Sequence, residues 1–110
     1  LTYGLFSRMK PNATFINTGR GAQVVEADLL RALQEEPGRT ALLDVTWPEP
    51  PEEGSPLLTQ ENVFLSPHIA GSMHNEVARM GVYMEEEYQR LIQGQPTRYQ
   101  VTLSMLETMA

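Results

Sequence analysis

Cysteine is absent from this chain of 110 residues, which excludes disulfides and thiolate-held metals. With only two histidines, His68 and His74, the sequence offers no metal-ligand constellation. Cations are scarce: 8 Lys plus Arg stand against 14 Asp plus Glu. No basic patch or aromatic-interleaved basic run exists, so nucleic-acid binding is not expected. No apolar run approaches the roughly 20 residues that a membrane span requires. A secretory signal pattern is missing too, and with the lack of Cys this points to a cytoplasmic location. Neither a Gly-x-Ser-x-Gly elbow nor a Gly-x-Gly-x-x-Gly fingerprint is present.

What is present is a series of apolar runs alternating with helical patterns. Residues 3–9 suggest a short helix, broken by Lys10-Pro11-Asn12. Ala13 to Asn17, Thr40 to Val45 and Val63 to Ser66 read as three buried strands. Thr18-Gly19-Arg20-Gly21 forms a turn whose glycines permit positive φ or close backbone approach. Between the first two strands, Leu29, Leu30 and Leu33 place one apolar stripe on a helix from Val25 to Glu35. Glu26 and Asp28 favour its N-terminal end through the helix dipole, and Pro37-Gly38 stops it. Continuous apolar strands alternating with helices predict a parallel sheet covered on both faces. A longer helix spans His74 to Gln93, with Val77, Met80, Gly81, Met84, Tyr88 and Leu91 as a packing stripe and Glu85 to Glu87 as a solvated face. The tail 97–110 offers Leu103, Met105 and Leu106 for packing. The Pro-rich stretch Pro48 to Pro56 reads as a rigid surface loop in preference to an SH3 ligand.

Three side chains near strand ends carry candidate chemistry, because open α/β sheets bind ligands there. Arg20 is a fixed cation able to form two parallel hydrogen bonds to a carboxylate. Taken alone it reads first as a surface arginine in a turn. His68 is placed to exchange a proton with a substrate hydroxyl or carbonyl, or else to serve as a capping or packing histidine. Glu49 is the natural partner for its imidazole, orienting the ring and fixing its tautomer; alternatively it is one more acid in a loop that also holds Glu52 and Glu53. Asp44 ends an apolar run, where an unpaired carboxylate is costly, so it should contact a ligand, a backbone N–H or a side chain. His74 stands at a helix start and is expected to face solvent.

Asn17-Thr-Gly-Arg-Gly21, Asp44-Val-x-x-x-Glu-Pro50 and Pro67-His-Ile-Ala-Gly-Ser72 together resemble the C-terminal portion of the D-isomer-specific 2-hydroxyacid dehydrogenases. That family includes phosphoglycerate dehydrogenase and glyoxylate/hydroxypyruvate reductases. The resemblance implies an α/β fold: the C-terminal part of a Rossmann-type parallel-sheet nucleotide-binding domain, plus a long return helix. Residues 1–72 would then form the nucleotide-binding part and carry the catalytic residues. Residues 73–110 would form a connecting helix and tail leading towards a substrate domain. It also implies roles: His68 as general acid/base, Glu49 as its partner, and Arg20 as the group that binds the substrate carboxylate. Thr18, Gly19, Arg20, Asp44, His68, Ala70 and Gly71 would approach an NAD or NADP cofactor, and the substrate would be a small 2-hydroxy or 2-oxo acid. No metal is implied. Gly19, Thr46-Trp47 and Met73 depart from the family's common residues, and Trp47 is placed to reshape the substrate pocket.

The chain begins Leu1-Thr2-Tyr3 without an initiator Met, so a cleaved or trimmed piece of a longer protein is expected. The pyrophosphate-binding glycine turn and the residue that selects NAD or NADP would lie upstream. Such a piece should be inactive in isolation. A half-sheet leaves apolar faces and a strand edge uncovered, so self-association, strand exchange or pairing with a missing fragment is expected, with a homodimer as the assembly. The competing reading is a naturally truncated dimerisation or binding module that keeps the motif residues without turnover.

Overall fold

Strand and helix positions follow from the alternation of apolar runs and breakers. The computed structural model describes residues 1–107, and residues 108–110, the end of the expected tail, lie outside the described residues. The chain divides into two units, with the division after Gly71.

In the first unit, helix α1 (Tyr3–Phe6) precedes strand β1 (Thr14–Asn17), helix α2 (Glu26–Glu35), strand β2 (Thr40–Leu43) and strand β3 (Val63–Leu65). The strands form one parallel sheet in the order β1-β2-β3. The register aligns Asn17 with Leu43 and Leu43 with Leu65, so all three strands end at the same edge. That alignment brings the segments after each strand together. The strands are shorter than the apolar runs suggest. Asp44 and Ser66 still donate backbone bonds to Asn17 and Leu43, but their side chains turn to each other at the edge.

The core lies between α2 and one face of the sheet. Leu29 and Leu33 of α2 are fully buried against Ala41 and Leu43 of β2, and Phe6 closes one side. Phe6 also meets Phe15 edge to face, with ring centroids 5.2 Å apart. Leu57, on a short 3₁₀ turn at Pro56–Leu58, anchors the Pro-rich loop in the same core. Two-sided coverage of the sheet is not observed. Ile16, Leu42 and Phe64 form one register row on the opposite face, 61%, 39% and 58% exposed. The reason is topological: α2 is the single helix longer than one turn in this unit, and one helix covers one face.

Arg39 joins the ends of α1 and α2. Its buried guanidinium donates to the carbonyls of Ala32, Ser7 and Met9. Carbonyls at helix ends lack intrahelical partners, and this cation supplies them.

In the second unit, helix α3 (Asn75–Ile92) carries the expected stripe, and none of its residues is buried. His74 precedes it with φ 49°. A four-residue helix, α4 (Leu103–Leu106), stands in the tail, where no helix was anticipated. The Glu87 carboxylate accepts the backbone N–H groups of Arg98 and Tyr99 and so ties the tail to α3. No helix among the described residues is long and apolar enough to cross a membrane.

Replacing Arg39 with Leu should lower stability by about 2–4 kcal/mol, because three backbone carbonyls lose a charged donor. A urea unfolding midpoint shifted at unchanged slope checks this, and an unshifted midpoint contradicts it.

Candidate active site

The edge where the strands end carries every residue singled out from the first unit. After β1, Asn17 shapes the turn: its side chain accepts from Gly19 N–H at 3.1 Å and donates to the Arg20 carbonyl at 3.1 Å. Arg20 is exposed, and its guanidinium donates to the Gly19 carbonyl at 2.8 Å. It forms no hydrogen bond or ion pair with Glu49 or His68.

Gly21 is the position where the absence of a side chain is required. A Cβ there would stand 2.0 Å from the Thr46 carbonyl oxygen. This close approach seats the Arg20 turn directly on the segment that leaves β2. Glu26, in the first turn of α2, accepts the Trp47 N–H at 2.7 Å, and the Thr46 hydroxyl donates to the Pro48 carbonyl at 2.9 Å. These contacts hold the loop that presents Glu49. Trp47 itself is 67% exposed.

Glu49 and His68 meet. The His68 Nδ1 lies 2.6 Å from Glu49 Oε1. A carboxylate at Nδ1 assigns the proton to that nitrogen and leaves Nε2 to exchange protons with a ligand. Both side chains remain accessible, at 45% and 39% exposure. His68 has φ 53°, in the left-handed region that bulky residues rarely occupy.

Asp44 is 5% exposed, and its carboxylate is fully engaged. The Ser66 hydroxyl and the Ile69 N–H, at 2.9 Å, donate to Oδ1. The Ala70 N–H donates to Oδ2 at 2.8 Å. These bonds, with the Ser66 hydroxyl foremost and the nearby His68 as a smaller contributor, hold its pKa below the ordinary aspartate value. Of the positions expected near a cofactor, Thr18, Gly19, Ala70 and Gly71 are all exposed at this edge. The Ala70 N–H is committed to Asp44, whereas a Cβ at Gly71 would meet nothing within 4 Å. No metal-binding group of His, Asp or Glu exists among the described residues.

A cavity of about 740 Å³ opens beside the pair, lined among others by Asp44, Glu49, Leu58, Leu65, Ser66 and His68. Its lining is mainly apolar with a few polar groups, Asp44, Glu49, Ser66 and His68 among them, the usual composition of a small-molecule site. Arg20 is not among the lining residues. In the sequence Ser66 reads only as the end of a strand and Glu26 only as an acid at a helix start; neither is marked as supporting the site. The available signal for Ser66 was its place one residue beyond β3, beside the position one residue beyond β2.

The lowered pKa of Asp44 makes stability depend on pH. Its contribution is complete above the ordinary aspartate pKa and is lost as pH falls through the lowered folded value. Asp44→Asn should reduce stability at neutral pH and flatten the loss in acid. Thermal melts from neutral to strongly acidic buffer check this; an unchanged acid limb contradicts it.

Comparison with known proteins gives this geometry a family. Residues 1–70 match the family described as D-isomer specific 2-hydroxyacid dehydrogenase, NAD binding domain. The chain is 36% identical over 104 residues to D-3-phosphoglycerate dehydrogenase of Archaeoglobus fulgidus, covering 94% of this chain and 20% of that protein. It is 48% identical over 69 residues to glyoxylate/hydroxypyruvate reductase B of Shigella boydii, covering 63% and 21%. Among solved structures, a D-isomer specific 2-hydroxyacid dehydrogenase from Xanthobacter autotrophicus, in complex with NADPH and MES, superposes with a TM-score of 0.77 at 34% identity. That match covers 91% of this chain and 40% of the other. The chain thus spans about a fifth of the length of these curated relatives. With its parallel sheet, its strand-end turns and a match over most of the first unit, the chain belongs to the D-isomer specific 2-hydroxyacid dehydrogenases, within their NAD-binding domain.

Proposed function

We propose that these residues form one wall of the active site of a nicotinamide-dependent dehydrogenase acting on a small 2-hydroxy or 2-oxo acid. The observation that carries this reading is the 2.6 Å contact between His68 Nδ1 and Glu49 Oε1 at the sheet edge where α/β proteins bind ligands. Glu49 holds the imidazole in one orientation and one tautomer. His68 then delivers a proton to the substrate's C2 oxygen during reduction and takes it back during oxidation. Arg20 is the cation for the substrate carboxylate, and its exposed guanidinium is free to leave the Gly19 carbonyl for a stronger acceptor.

The residues present fit the nicotinamide end of a dinucleotide. Thr18 and Gly19 on one turn and Gly71 on another are exposed, and open space adjoins Gly71. When bound, the nicotinamide supplies or accepts the hydride at substrate C2. No glycine turn for a pyrophosphate occurs in this sequence, so the 110 residues in isolation should be inactive. A cytoplasmic homodimer completes the proposal. Self-association is supported by the exposed row Ile16, Leu42 and Phe64.

In the whole protein, His68→Ala should lower turnover of glyoxylate or hydroxypyruvate by at least about a hundredfold. Nicotinamide oxidation followed by absorbance measures it. The 110-residue chain assayed alongside should show no turnover. Near-normal turnover by the His68 variant eliminates the assignment.

A further inference from the structure

We propose that Ser66 is a positioning residue for His68, acting through Asp44. The inference rests on the reading of His68 as the acid/base. Three donors reach the Asp44 carboxylate, and they come from positions 66, 69 and 70, on both sides of His68. His68 itself gives Asp44 no hydrogen bond; its N–H goes to the Ser66 carbonyl at 3.0 Å. The histidine therefore sits on a short arch whose two feet stand on one carboxylate.

That arch holds His68 at φ 53°, a conformation that persists only when the surroundings over-determine it. On the carboxyl side the feet are main-chain N–H groups, which no substitution removes without changing the backbone. On the amino side Pro67 has no N–H to give, and the Ser66 N–H is already bound to the Leu43 carbonyl at 3.0 Å. The Ser66 hydroxyl is thus the single side-chain foot of the arch. It shares Oδ1 with Ile69, so it also fixes the rotation of the carboxylate that receives both N–H groups. Without it the carboxylate can pivot, His68 can relax from its left-handed conformation, and the 2.6 Å contact of Nδ1 with Glu49 loosens. The ring would then present Nε2 along a wandering direction, and proton transfer depends steeply on direction.

The test compares Ser66→Ala and Ser66→Thr in the whole protein. Ser66→Ala should lower kcat about tenfold while KM for the nucleotide stays within about twofold, because alignment of the acid/base changes and cofactor contact does not. Ser66→Thr keeps the hydroxyl and should restore kcat to within about twofold of wild type. The proton on His68 Nδ1, observed by NMR at low field, should broaden in Ser66→Ala and return in Ser66→Thr. Unchanged kcat and an unchanged proton signal in Ser66→Ala overturn the proposal. So does a nucleotide KM that rises in step with the loss of kcat, which would place Ser66 at the cofactor. If the wild-type protein shows no dehydrogenase turnover, the functional reading falls. The positioning claim is then decided by the spectrum alone: a Glu49-dependent Nδ1 proton that Ser66→Ala leaves sharp overturns it.

Discussion

An aspartate with 5% of its surface exposed must find donors inside the protein, and the Asp44 carboxylate finds three in one turn. Removing one partner from such a group leaves a charge that neither water nor protein solvates fully. The cost of that outcome ties the end of β2 to the turn after β3 (Val63–Leu65) more firmly than strand pairing alone would. His68 rides on that turn. The site thus inherits its geometry from the solvation demand of a residue beside it.

The same stretch of chain makes the other attachments. Thr46 abuts Gly21 and so sets the Arg20 turn, and Trp47 is held by Glu26 from α2. Glu49 follows directly. A pair as accessible as Glu49 and His68 gains little from its own attraction, since exposed ion pairs contribute about 0–1 kcal/mol. The frame keeps these two side chains together. Residues 44–49 reach the turns after β1 and β3 and the start of α2, which makes the exit of the central strand the organising element of the edge.

The sequence carried this fold well wherever periodicity and breakers decide it. The three strands, α2 and α3 all lie within their apolar patterns, because burial and helix stops act locally. Asp44 was conspicuous for the same reason: a charge at the end of an apolar run demands a partner. What it pairs with depends on register between β2 and β3, which no local pattern encodes, so Ser66 went unremarked. Glu26 was legible only as an acid near a helix dipole; its bond to Trp47 N–H is a tertiary fact. The one-sided sheet was missed because apolar strands report a capacity for burial, not whether a second layer stands in the same unit. Arg20 was grouped with Glu49 and His68 by motif, and it stands at the same edge but hydrogen-bonded to neither.

Under the proposed function, this edge aligns an acid/base pair for hydride exchange at the C2 carbon of a small 2-oxo acid. Isotope transfer addresses it most directly. The whole protein would be given hydroxypyruvate and a reduced nicotinamide cofactor dideuterated at C4 of its ring, and the product would be read by NMR and chiral chromatography. D-glycerate with one deuterium at C2 is expected. Product without deuterium, or the L-isomer, would contradict the proposed function.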